Sequence, residues 1–289
     1  MRRVAFALSL VFVLSPAAAG ADEVSLSYWY FPVPWTMGAP LAPARTGGID
    51  LGITASDHGW ATAFPVWTTM TSRKMNFIVD FVWPFAVGHM KTGDSSPDFY
   101  AGNFRLGLRG GWKFTFPFAG GHSLPAAWGI GGDLGLPVAS IWGGNEAAAM
   151  GYLMFLHDPL AWVPNVLGFS PKATFALGKP IFFMENELQF PILFGLKSGA
   201  KTVMDLKWGA ALGTQPLSWM AVLLEFGGIH GLNVKGNQTW CAVGARYYYK
   251  QLVAGLMMRF PFSYLASSAE PAWGLLLSFG FEKRQPQEF

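Results

Sequence analysis

The chain has 289 residues, of which 52% are hydrophobic and 13% charged, with a formal net charge of +3. The charged share is about half the roughly 25% of a soluble domain, and no basic run or nucleic-acid motif accompanies the small positive excess. These values exclude an ordinary water-surrounded domain and a nucleic-acid partner, and the single cysteine, Cys241, excludes an internal disulfide.

The first 21 residues read as a secretion signal. Arg2 and Arg3 are followed by an apolar run from Val4 to Leu14, and Ala19-Gly20-Ala21 forms a small-residue cleavage site. The apolar run is too short for the ~20 residues of a membrane-spanning helix. Removing it takes away two arginines, so the pI near 8.9 carries little information about partners. Residues 22–48 form an N-terminal segment without a clear period.

Strand-like stretches follow. Met75, Phe77, Val79, Phe81, Trp83, Phe85 and Val87 occupy every second position, with Asn76 and Asp80 between them. This period of two is that of a strand with unlike faces. It recurs in twelve stretches: Ile49–Ser56, Trp60–Thr71, Lys74–Gly88, Phe99–Phe118, Ala126–Ser140 and Ser170–Leu177, then Ile181–Leu196, Thr202–Gly213, Trp219–His230, Gln238–Tyr249, Leu252–Phe262 and Trp273–Lys283. Connections alternate in length. Ser72-Arg73, Gly178–Pro180, Thr214–Ser218 and Lys250-Gln251 are short, whereas His89–Asp98, Ile141–Phe169, Gly231–Asn237 and Ser263–Ala272 are longer. The expected fold is all-β, a transmembrane antiparallel up-and-down β-barrel spanning residues 49–289, of about twelve strands with fourteen as the alternative. A soluble β-sandwich would alternate too, but its outer face would carry more charge than this chain owns.

Apolar-Pro-apolar triplets punctuate the pattern, among them those centred on Pro65, Pro84, Pro117, Pro137, Pro191 and Pro261. Proline lacks a ladder donor, so they are expected at rims, bulges or strand ends.

With apolar positions facing lipid, the interleaved positions face a lumen. Arg105, Arg109 and Lys113 share one parity and form a candidate anion-attracting row. Asp80, Asp133, Glu185, Glu187, Asp205 and Glu225 share the same inferred face, with Lys172, Lys207, Arg246 and Arg259 as positive partners. Such a mixture either lines a conducting path or neutralises itself and plugs a narrow barrel; both stay open. The segment from Ile141 to Phe169 can fold inward, cap the mouth or add a hairpin.

The chain resembles Gram-negative outer-membrane β-barrel proteins, the small porin-like channels of about twelve strands. The closing pattern Trp273, Leu275, Leu277, Phe279, Phe281 with the terminal Phe289 is similar to the assembly signal of that class, although Glu282 to Glu288 interrupt it. The resemblance implies a monomeric channel for passive passage of small solutes, with outer-membrane lipids and the barrel-assembly machinery as partners and no cofactor. A non-conducting structural or adhesion barrel is the alternative, and a lipid-modifying hydrolase the third. His122-Ser123 is the only adjacent His-Ser pair, and it reads better as a solvated turn than as catalytic machinery. His58, His89, His157 and His230 lack zinc-like spacing, and Cys241 reads as a strand thiol.

Overall fold

The computed structural model describes residue 35 and residues 45–56, 59–71, 77–90, 97–117, 123–138, 158–234, 237–262 and 273–283. The expected secretion signal, His58, His122, His157 and the C-terminal Phe289 lie outside the described residues.

Strand β1 (Arg45–Ser56) is followed by three staves that are each split in two. These are β2 (Gly59–Ala63) with β3 (Val66–Thr71), β4 (Phe77–Trp83) with β5 (Phe85–Met90), and β6 (Asp98–Ala101) with β7 (Phe104–Pro117). Two unbroken strands come next, β8 (Ser123–Leu136) and β9 (Val166–Lys179), with a helical turn α1 (Pro159–Trp162) between them. A fourth split stave holds β10 (Phe182–Gln189) and β11 (Ile192–Gly195). The wall is completed by β12 (Val203–Leu217), β13 (Met220–Gly231), β14 (Asn237–Tyr249), β15 (Leu252–Pro261) and β16 (Trp273–Lys283).

Each stave is antiparallel to its neighbours, and β1 pairs with β16 from Arg45↔Lys283 to Ala55↔Trp273. The sheet is therefore a closed antiparallel barrel of twelve staves, as the twelve alternating stretches predict. Closure leaves no sheet edge, the condition for a sheet that stands in lipid. The fourteen-stranded alternative falls away, because β8 pairs directly with β9 and the described part of the long connection between them contributes α1 and no strand.

Side-chain direction follows the period of two. On β7, Leu106, Leu108 and Trp112 are exposed, while Gly107, Arg109 and Gly111 are buried. The exposed set continues round the barrel with Ile130, Phe169, Met204, Leu256 and Phe279. The outer surface is thus an apolar belt. Its short-turn end carries an aromatic fringe of Phe116, Phe182, Trp219, Tyr249 and Phe281, in the manner of an interfacial girdle. At the same end β14 and β15 are joined by Lys250-Gln251 alone, and Lys250 takes φ 55° to turn the chain in so few residues. Cys241 is half-exposed on the outward parity of β14.

The proline expectation holds at three positions and needs correction at three. Pro117 and Pro261 end β7 and β15, and Pro137 directly follows β8. Pro65, Pro84 and Pro191 instead interrupt the interiors of staves. Registers run through the breaks at Pro65 and Pro191 without a bulge: Gly52↔Ala63 and Ile49↔Val66 belong to one alignment, as do Phe183↔Gly213 and Ile192↔Met204. At Pro84 the register holds against β2 and β3 and shifts by one against β6 and β7. The missing N–H removes one ladder bond, but the proline carbonyls still accept. Asp50 N donates to Pro65 O at 3.0 Å, Gly102 N to Pro84 O at 2.7 Å and Asp205 N to Pro191 O at 2.9 Å. Half of the pairing survives, so the stave tolerates the break.

The fourth break does carry a bulge. Phe85 pairs with Ala101 and Val82 with Arg105, an alignment that leaves one extra residue at Gly102-Asn103. The inward parity switches from Tyr100 to Arg105 across it, and Asn103 is fully buried. Bulges re-aim side chains in this way.

Candidate functional site: a charged lumen with two inserts

The buried interior holds polar and charged side chains among small apolar ones. Near the middle of the β4–β7–β8–β9 wall, Arg109 reaches Asp80 at 3.0 Å, and Lys172 reaches Asp133 at 2.6 Å and Asp80 at 3.6 Å. Thr69 Oγ1 donates to the same Asp80 carboxylate at 2.8 Å. Gly107 makes room for this cluster, since a Cβ there would meet Asp133 Oδ1. Lys207 pairs with Glu187 at 2.7 Å one stave further on. Such pairs satisfy charges that the low-dielectric interior would otherwise penalise.

Two inserts lie against the inner face of the wall. The first is α1, which comes from the long connection. Asp158 precedes it, and its side chain accepts from Ala161 N at 3.3 Å, with Pro159 at the first helical position. Asp158 also holds Arg105 at 2.9 Å. Asn103, aimed inward by the bulge, donates from Nδ2 to Leu160 O at 3.1 Å and to Val163 O at 2.7 Å. Its backbone N–H donates to Ala161 O at 2.8 Å, and Tyr100 Oη donates to Trp162 O at 2.9 Å. All four residues of α1 are buried. Burial pushes the Asp158 carboxyl up from its ordinary value, and Arg105 opposes that rise.

The second insert is Trp35. Its backbone N–H donates to Glu225 Oε1 at 2.8 Å and its indole N–H to Ser278 Oγ at 2.9 Å. The Arg246 guanidinium stacks over its ring at 4.2 Å from the centroid. Gly244 and Gly255 lie where a Cβ would collide with the indole. Trp35 packs against both interior clusters, one with Tyr100, Trp162, Met257 and Leu276, the other with Phe183, Leu223, Tyr248 and Val253. One residue thus ties β13, β14, β15 and β16 together from inside.

Of the residues singled out in the sequence, Asp80, Arg109, Asp133 and Lys172 meet in one cluster, Glu187 and Lys207 in a second, and Glu225 and Arg246 around Trp35. Arg259 and Glu185 are buried on the same inner face. Arg105 is not open to the lumen as a bare cation, because Asp158 faces it. Lys113 is exposed towards the short-turn end of β7, apart from Arg105 and Arg109, and Asp205 lies near the long-connection end of β12. Sequence reasoning missed Trp35, Asp158 and Asn103. The Asp158-Pro159 step is a helix-start signal that was legible. Trp35 sits in a segment without a period and gave none.

No family model matches the sequence, and no curated protein is similar to it. Solved structures are similar in shape. The COG4313 outer membrane channel from Pseudomonas putida F1 superposes with a TM-score of 0.55 at 11% identity, over 90% of this chain and 99% of that one. The NanC porin gives 0.48 at 7% identity, over 82% and 99%. The fold is that of an outer-membrane barrel. At these identities the likeness reaches no further than the fold.

Proposed function

We propose that the protein is an outer-membrane channel for passive passage of small solutes, held closed in this conformation by Trp35 and α1. The observation that carries the reading is the attachment of the two inserts. Neither belongs to the barrel wall: Trp35 lies in the N-terminal segment and α1 in the long connection. Both are held by hydrogen bonds to the wall, with the Arg105–Asp158 ion pair on α1 and Arg246 on the Trp35 ring, rather than by ladder pairing. An insert of that kind can withdraw without breaking the sheet. With the long connections outside and the short turns in the periplasm, α1 closes the outer half, and Trp35 packs against the interior clusters of the wall. The likeness to an outer-membrane channel supports the same reading.

The buried ion pairs also favour a second reading, a non-conducting structural barrel, because they sit as they would in a solid core. Planar-bilayer recording separates the two. The channel reading expects brief unitary currents from the full chain and longer, larger ones from Trp35→Ala. A folded Trp35→Ala barrel that stays electrically silent sinks it.

A further inference from the structure

Glu185 stands on β10 with its side chain turned inward and 1% of its surface exposed. Neither of its carboxylate oxygens has a hydrogen-bond partner among the described residues. Native proteins keep a buried carboxylate where a donor or a counter-charge meets it. Among the described residues no donor comes within hydrogen-bond distance, and the counter-charges of Arg246 and Arg109 act on Glu185 only from longer range. Ala176 and Ala211 lie directly beside Glu185 in the ladder, with Ala127 beyond Ala176. The nearby cations each hold another group, Lys207 on Glu187, Arg109 on Asp80 and Arg246 on the face of Trp35, and the unbonded N–H groups of Arg109 and Arg246 do not reach Glu185.

The same row continues to a second acid. Glu225 is the partner of Ala211 on the next stave, two strand spacings or about 10 Å from Glu185 at the backbone. Its Oε1 is met by the backbone N–H of Trp35. The interior as a whole leans the same way. Among the described residues eight carboxylates are buried (Asp80, Asp133, Asp158, Glu185, Glu187, Asp205, Glu225 and Glu282) against five buried cations and the partly exposed Arg105 on Asp158. The missing charge is positive.

We propose that Glu185 and Glu225 form a lumenal binding site for a small organic cation with N–H donors, an alkylammonium or a guanidinium. An ammonium brings three donors and a guanidinium five, enough for the bare oxygens of Glu185 and for Glu225 together. The alanines around Glu185 offer apolar walls to the alkyl part. A divalent metal fits less well, because it takes six or more oxygen ligands or a larger set of His, Cys, Asp and Glu than the described residues assemble here. The cation replaces the Trp35 N–H on Glu225, so its binding and the withdrawal of Trp35 are coupled. This rests on the channel reading, since the solute reaches the site through the lumen.

The test uses the full chain folded in detergent, with n-butylammonium chloride as the probe and tetramethylammonium, which has no N–H, as its comparison. Calorimetric titration should show saturable butylammonium binding, at least tenfold weaker binding of tetramethylammonium, and at least a tenfold loss in Glu185→Gln. Absence of saturable binding, equal affinity for the two cations, or unchanged binding in a folded Glu185→Gln overturns the site. If Glu185→Gln does not fold, the two-cation comparison on the unaltered chain decides alone. Bilayer recording in potassium chloride keeps the two proposals apart. Currents without butylammonium binding leave the channel and remove the site, and binding by an electrically silent barrel does the reverse.

Discussion

At the scale of single residues, the interior is held by charges whose partners differ in how replaceable they are. Lys172 is a multiply bonded cation, donating to Asp133 Oδ1 at 2.6 Å and Oδ2 at 2.9 Å while facing Asp80. Removing one member of a buried pair strands the other, at a cost of about 3–5 kcal/mol, whereas removing both costs far less. Lys172→Met is therefore expected to lower the unfolding free energy by about that amount, measured by urea titration of barrels folded into vesicles. Lys172→Met with Asp133→Leu should recover most of the loss. Equal loss in the single and double variants would show that the pair is not what holds this wall. Trp35 is the contrasting case. It is only half-buried, so Trp35→Ala should cost less than the roughly 3–5 kcal/mol of a core Trp truncation while raising conductance several-fold. The two variants separate a residue that supports the wall from one that closes it.

At the scale of elements, α1 is the part of the barrel that sequence periodicity could not announce. The twelve staves were legible because each displays apolar side chains to lipid on alternate positions, a signal that lipid exposure enforces over many residues. Even the breaks at Pro65, Pro84 and Pro191 were visible as residues, though their depth was not, since survival of the ladder depends on which carbonyls still find donors. A four-residue helix has no period to read. Its place is set by the Gly102-Asn103 bulge on another stave, and that bulge is a property of the register between β5, β6 and β7. The pairing of Arg105 with Asp158 was hidden for the same reason: the two residues are 53 positions apart and meet only through the fold. The element has a pH signature with a definite sign. Inserted Asp158 holds its proton more tightly than a solvated carboxyl does, so acid favours the inserted state and rising pH favours withdrawal. Open probability should increase as pH climbs from the ordinary carboxylate range through the raised value. Asp158→Asn should abolish that dependence, and a wild-type barrel whose gating is flat across this range would remove α1 from the closing device.

At the scale of the whole molecule, the two faces of the wall obey opposite rules, and this is what makes the barrel a membrane object rather than a sandwich turned on itself. Arg109 and Leu108 are neighbours in sequence on β7. Arg109 is 2% exposed and answered by Asp80, whereas Leu108 is 54% exposed near the middle of its stave with no polar group beside it in the ladder, only Val79 and Gly132. If water bathed the outer surface, an arginine at position 108 would be nearly neutral, as surface substitutions usually are. If lipid does, the guanidinium must sit in hydrocarbon, and Leu108→Arg should destabilise the folded barrel by about 2–4 kcal/mol. The same substitution at the rim, Tyr249→Arg beside the short turn, should cost about 0–1 kcal/mol, because depth sets the penalty. Urea titration in vesicles reads both values. A Leu108→Arg barrel as stable as the Tyr249→Arg one would mean that the apolar belt is not a lipid face, and the closed interior would then have to be explained as the core of a protein that never enters a membrane.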